Sequence, residues 1–281
     1  MTLQRCLTIH TRTLMATFAL ALVLLSMFAR ANAIAQQPNA LAVHYVQGSS
    51  HAFLVIRAES GDVLGYGEFL QLVRGERVSS RLTYHFRDGS VDDDTAIFSQ
   101  SGTFHLVSDH HIQHGPFFSK PVDCMVEASG NVTMRTVKSD GKEAIETSHI
   151  DLPPDVSNGF TGILLMNAPP SSAPFKLGLV APTGNGRLIQ LSVSLEGEEP
   201  FSPVLGVQRK ATVFRIHPEL GGVAGVVAPM IGKQPKDIFV WILEGKVPGL
   251  IREIGPLADG GPVVSVEPSG VSYPIAPVVK K

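Results

Sequence analysis

Along most of this chain apolar and polar residues alternate with period two, in short runs broken by Gly, Asp, Ser and Pro. Period two sends successive side chains to opposite faces of an extended strand, so such runs predict half-buried β-strands. In residues 81–87, Leu82, Tyr84 and Phe86 point one way while Thr83, His85 and Arg87 point the other. In residues 188–196, Ile189, Leu191, Val193 and Leu195 oppose Gln190, Ser192, Ser194 and Glu196. Segments 53–58, 63–73, 95–99, 103–107, 132–137 and 204–216 read the same way, and the unbroken apolar run 238–243 reads as a core strand. Hairpin turns are predicted at Ser60-Gly61-Asp62, Asp88-Gly89-Ser90, Ser129-Gly130-Asn131 and Asp140-Gly141.

One helix interrupts this pattern. It follows Pro153-Pro154, takes Asp155 or Ser157 as its cap, runs from Phe160 to Met166 and stops at Ala168-Pro169-Pro170. A short apolar helix among strands is suited to covering the open face of a curved sheet. No strand–helix–strand alternation appears, which excludes a doubly wound fold. The expectation is an all-β protein, a curved antiparallel sheet or half-open barrel with one short covering helix.

The first residues carry a different pattern. Arg5 and Arg12 precede an apolar stretch of about 15 residues, Leu14 to Phe28, and the small-residue sites Ala31-Asn32-Ala33 and Ala33-Ile34-Ala35 follow. A membrane-crossing helix needs roughly 20 apolar residues. The segment therefore predicts a cleaved signal peptide over 1–35, a periplasmic or secreted location and no transmembrane anchor after cleavage. A single β domain is expected over 36–267, with a loosely ordered tail over 268–281.

Cleavage removes Arg5, Arg12 and Arg30 and no acid, so the mature chain is more acidic than the whole, whose formal charge is −2. That balance excludes nucleic acid as a partner held by charge. Cys6 leaves with the signal and Cys124 remains alone, which excludes an intramolecular disulfide and reads as a small buried hydrophobe.

Candidate chemistry centres on His105, Asp109, His110, His111 and His114, since imidazole and carboxylate are common metal ligands. In a regular strand His105, Asp109 and His111 share one face and His110 and His114 the other, so the segment reads either as a metal site folded together by a turn or as a solvated strand and turn. Asp92-Asp93-Asp94 lacks the spacing of a calcium loop and reads as a charged turn or edge guard. Asp151 and Asp155 flank the proline pair, as paired carboxylates or, for Asp155, as a helix cap. Ser139-Asp140-Gly141-Lys142 has the Ser-x-x-Lys spacing but reads as a turn. Gly221 to Pro229 is glycine-rich, with Lys233 at the wrong distance for a phosphate loop, and reads as a buried strand. Trp241 reads as packing. No catalytic residue and no cofactor is predicted.

Three phrases together carry a resemblance: Ser108 to Pro116, His149 to Gly159, and Glu219 to Lys233 with Gln234-Pro235. Trp241 and the Gly255-Pro256-Leu257 and Gly261-Pro262 turns add to it. The chain resembles exported bacterial proteins of a domain-of-unknown-function family, similar in pattern to the curved antiparallel sheet of periplasmic lipoprotein carriers. The resemblance implies compartment and fold and supplies no catalytic residue. The functional expectation is a non-catalytic β protein that binds a hydrophobic small molecule or an envelope protein. A metal-dependent enzyme built on residues 105–114 and a purely structural or assembly protein are the alternatives.

Overall fold

The computed structural model describes residues 40–137, 141–204, 207–220 and 235–269. Fourteen strands form one antiparallel sheet in the order β8-β7-β6-β5-β4-β3-β2-β1-β14-β13-β12-β11-β10-β9. They are β1 Ser50–Ala58, β2 Val63–Arg74, β3 Arg77–Phe86, β4 Val91–Ser101, β5 Thr103–His114, β6 Val122–Glu127, β7 Asn131–Val137, β8 Glu143–His149, β9 Phe175–Ala181, β10 Arg187–Val204, β11 Val207–Glu219, β12 Ile238–Leu243, β13 Gly249–Pro256 and β14 Val263–Pro268. Each strand pairs with its neighbours in sequence except β8 with β9, and β1 pairs with β14 through Leu54↔Pro268 to Ala58↔Val264. The meander is therefore continuous across its two ends and is interrupted between β8 and β9, so the sheet is not closed into a barrel.

The interruption is where the covering element enters. Residues 150–174 join the edge strands, and within them lie α1, Thr161–Asn167, and a 3-10 turn, Pro170–Ser172. Before α1 the chain forms a strap along β9: Val156 bridges Gly178, Ser157 N–H donates to Gly178 O at 2.9 Å and Gly178 N–H to Asp155 O at 3.1 Å. These bonds satisfy part of an edge that would otherwise offer free backbone groups. The opposite edge, β8, carries Glu143 and Glu146, charges that discourage strand addition.

The inward faces of β3 to β7 and β9 to β12 converge on this insertion. Val78, Phe98, Phe104, Val126 and Val132 from one half, Leu177, Val180, Val193, Phe214 and Val240 from the other, and Phe160, Ile163, Leu164 and Leu165 from the insertion form one core. Phe98 stacks on Phe160 with centroids 4.7 Å apart. A smaller core of Ile56, Tyr84, Phe86, Phe118, Val264 and Val266 fills the other end. Neither Asp155 nor Ser157 caps the helix: its N-cap is Phe160, without a side-chain bond, and Asp155 is buried against β9 instead.

The run 204–216, read as one strand, spans the end of β10 and most of β11, because β10 extends past its alternating segment with register shifts after Leu195 and Phe201. The turns at 60–62, 88–90 and 129–131 link the strands predicted around them. Ser139 and Asp140, and the glycine-rich segment 221–229 with Lys233, lie outside the described residues. Among the described residues no helix is long and apolar enough to cross a membrane.

Candidate functional site

Strand β4 carries Asp92-Asp93-Asp94 directly after its first residue, Val91. Asp92 and Asp94 follow the inward phase of Ala96, Phe98 and Gln100, while Asp93 faces outward, held by Arg81 and Thr83. The acids are thus neither a turn nor an edge guard, because β4 lies within the sheet and pairs on both sides.

Across from them, β5 contains the histidine segment, and a bulge decides which residues face in. Ile97 pairs with Ser108 but Phe98 pairs with Leu106, leaving Val107 as an extra residue. One extra residue reverses the phase of every position beyond it. Phe104 and Leu106 point inward before the bulge, and Asp109 and Gln113 are buried after it, with His111 in the same phase. Regular alternation groups His105 with Asp109 and His111, but in the structure His105 is exposed and bonded to Thr103 Oγ1 at 2.7 Å. His110 lies on the outer side, 2.9 Å from Asp123, and His114 is exposed. The five side chains are divided between two faces. Among the described residues no three His, Cys, Asp or Glu side chains are grouped so as to hold a metal.

What the inward phase assembles is a buried carboxyl cluster. Asp92 accepts from His111 Nε2 at 2.9 Å and from Gln113 Nε2 at 2.9 Å, and Gln113 also donates to Leu257 O. Burial alone would push His111 down, but the bond to Asp92 and its charge outweigh it, so the imidazole is raised above its ordinary value. Asp94 and Asp109 lie side by side. Oδ1 of each is buried and no donor reaches it, so the carboxyls are satisfied only if a proton lies between them. Burial pushes both up, Asp94 most strongly because the charge of Asp109 adds to it, and Asp94 retains the proton that it donates to Asp109.

Two further groups close the cluster. Glu253 on β13 stands opposite Val240 and Val266, both inward, and burial, helped by the charge of Asp92, pushes it up to about 7. Tyr84 is buried over Gly67, where an added Cβ would meet its ring at 2.5 Å, and its phenol is pushed well up by burial and then by Glu253, Asp92 and Asp94. Cys124, opposite His111 on β6, is buried and pushed up to about 12, chiefly by burial.

The strap seals this cluster from one side. Asn158 donates Nδ2 to Val180 O at 3.0 Å and accepts from Val180 N–H at 2.8 Å, while Nδ2 approaches Asp109 Oδ2 at 3.4 Å. Gly159, with φ of +68°, sits so tightly that an added Cβ would lie 2.4 Å from Asp109 Oδ1 and 2.5 Å from Ala96 Cβ. Asp155 is also buried with an unpartnered Oδ1, whereas Asp151 is fully exposed near His149, so the two acids beside the prolines occupy opposite environments and are not a pair.

No family model matches the chain, and no curated protein matches it. Among solved structures it is similar to a β-barrel-like protein of domain of unknown function DUF1849 from Brucella abortus, with 10% sequence identity, a TM-score of 0.43, and coverage of 80% of this chain and 98% of that one.

The structure divides the five residues that the sequence grouped as candidate ligands. Asp109 and His111 do reach a cluster, yet their companions are Asp92, Asp94, Glu253 and Asn158 rather than the neighbouring histidines. Glu253 carried no signal of its own, since Arg252-Glu253 inside an apolar strand reads as an ordinary surface pair. The signal that existed was Asp92 and Asp94 in the inward phase of an apolar strand, paired residue for residue with Gln113 and His111.

Outside the cluster, the outer face bears Trp241, which is held rather than free: Nε1 donates to Glu199 at 2.9 Å and the Arg252 guanidinium lies 5.6 Å from its ring centroid. Beside it, Asp237 accepts from Arg215 Nε and His217 Nδ1, each at 2.6 Å, at the end of an open cavity of about 450 Å³ floored by Phe239, Ile254 and Val263.

Proposed function

We propose that this chain is an exported β protein, periplasmic or secreted, that works by binding rather than catalysis and meets a cell-envelope protein on the outer face of its sheet. The observation that carries the reading is where the apolar surface lies. The concave face is filled by Phe160, Ile163, Leu164 and Leu165 of the chain itself. On the outer side, by contrast, Phe53 and Tyr66 are 55% and 54% exposed, with Leu70 and Leu72 beside them. The register brings these residues together, with Val55 opposite Tyr66, Phe53 opposite Glu68 and His51 opposite Leu70. A strip of large apolar side chains rimmed by polar groups, here His51, Glu68, Arg81 and His85, is a usual mark of a protein contact.

The buried cluster supports binding over catalysis as well. Its carboxyls are shifted by enclosure, and the strap that encloses them leaves a substrate no approach to Asp109. A hydrophobic small molecule would have to displace α1 before reaching the concave face. Export is supported by the order of charge, apolar run and small residues in 1–35.

The test is a photo-activated cross-linking residue at Tyr66 in the exported protein. It is expected to capture an envelope protein, and Phe53→Ser with Leu72→Ser should abolish capture while leaving the unfolding free energy within about 1 kcal/mol of the parent. Capture that survives both substitutions contradicts the reading.

A further inference from the structure

We infer that the contact between strap and sheet is a proton-operated latch: the Asp94–Asp109 pair holds the Asn158–Gly159 turn against β4 and β5 while one proton lies between the carboxyls, and releases it when the pair is fully ionised. The inference does not depend on the binding reading above, because it concerns how the insertion is seated and not what the outer face meets.

The geometry carries it. Gly159 is pressed between Asp109 Oδ1, Asp94 Oδ1 and Ala96 Cβ, so any separation of the two carboxyls acts directly on the turn. Both Oδ1 atoms are buried without a donor, and a third carboxyl in the same condition, Asp155, lies on the strap itself. Two ionised carboxylates held this close in a dry interior repel, and the repulsion is relieved by moving the strap, which meets the sheet through the single bridge Val156 to Gly178 and not through a strand ladder. Asn158 bonds to the backbone of Val180 and thereby carries the displacement to β9 and to α1 beyond it.

The charged and titratable groups facing the pair are Asp92 on β4, His111 on β5, Cys124 on β6 and Tyr84 on β3; Glu253 on β13 interacts with Asp92 and Tyr84, and Asp93 and Asp123 act on His111 and Cys124 from the outer side. Of these only His111 can bring positive charge, and Asp92 already engages it. Burial raises both members of the pair, with the charge of Asp109 adding to it at Asp94 and hydrogen bonds from Asp94 and Asn158 opposing it at Asp109, so the release lies above the ordinary carboxylate range.

The experiment is hydrogen exchange read by mass spectrometry on the chain from Gln36, at pH 5 and pH 8 and corrected for intrinsic exchange. Peptides covering 153–167 are compared with peptides covering 187–195 in the sheet. The latch predicts that exchange of 153–167 rises by about tenfold or more relative to 187–195 between the two conditions, the change that one unit of ionisation gives. Asp94→Asn keeps a donor between the groups and should leave 153–167 as protected at pH 8 as at pH 5, and Asp109→Asn, which also removes the second charge, should do the same. Glu253→Gln should leave the response in place. The inference is overturned if both regions change together, if neither changes, or if the pH response of 153–167 persists in the Asn variants.

Discussion

Cys124 and Leu165 show how much a single position is governed by its surroundings. The Cys124 thiol is buried beside Asp109, Asp123 and Asp94, and burial pushes it up to about 12, so it is a packed small hydrophobe and not a nucleophile. It should resist a water-soluble thiol reagent at pH 8 in the native protein and react within minutes in denaturant; rapid native labelling would refute that burial. Leu165 is 1% exposed near the centre of α1 and belongs to the main core. Leu165→Ala removes those contacts and leaves a void, so urea titration should show a loss of about 2–5 kcal/mol. A loss below about 1 kcal/mol would mean that α1 is a loosely held lid.

Among the elements, the bulge in β5 and the strap before α1 do most to shape the interior. Gly159→Ala places a Cβ 2.4 Å from Asp109 Oδ1 and in a backbone conformation unfavourable to any side chain, and it should lower stability by about 2 kcal/mol or more, read as a fall in the thermal midpoint. Period-two alternation was enough to find the strands whose two faces differ, β2, β3 and the first part of β10 among them, and the proline-bounded helix was found nearly to its ends. Strands β6, β8 and β13 went unmarked because their polar and apolar residues do not alternate cleanly, and β9 and β14 because proline and glycine at their borders read as turns. The carboxyl cluster was beyond reach for a different reason. A one-residue bulge cannot be seen in the pattern, yet it separates His105 from Asp109 and His111 and turns the latter two inward. The pairing of Asp94 with Asp109 depends on that register, and the approach of Glu253 from β13 depends on the sheet curling over some 150 residues of intervening sequence.

For the whole molecule, the cluster sets the sign of the response to pH. Asp94, Asp109, Glu253 and His111 all have folded values above their ordinary ones, so the stability they contribute is complete at acid pH and is lost as pH rises through the folded values, with Glu253 leaving near 7. Asp237 and Glu219 act oppositely. Burial alone would raise Asp237, but hydrogen bonds from His217 and Arg215 hold it low, and Ser192 and Lys176 hold Glu219 low, so their contribution is lost as pH falls below roughly 4. Urea midpoints should therefore be higher at pH 5 than at pH 8, and Glu253→Gln should narrow the difference. A midpoint that rises from pH 5 to pH 8 would contradict this arrangement of charges.

The central claim is that the concave face is occupied by the chain's own insertion, leaving recognition to the outer face. Native mass spectrometry of the protein, purified without denaturant or detergent, tests it most directly. The account predicts the mass of the bare polypeptide with no small molecule carried through. A lipid-sized adduct retained at one per chain would place a ligand where α1 is expected to sit and would contradict it.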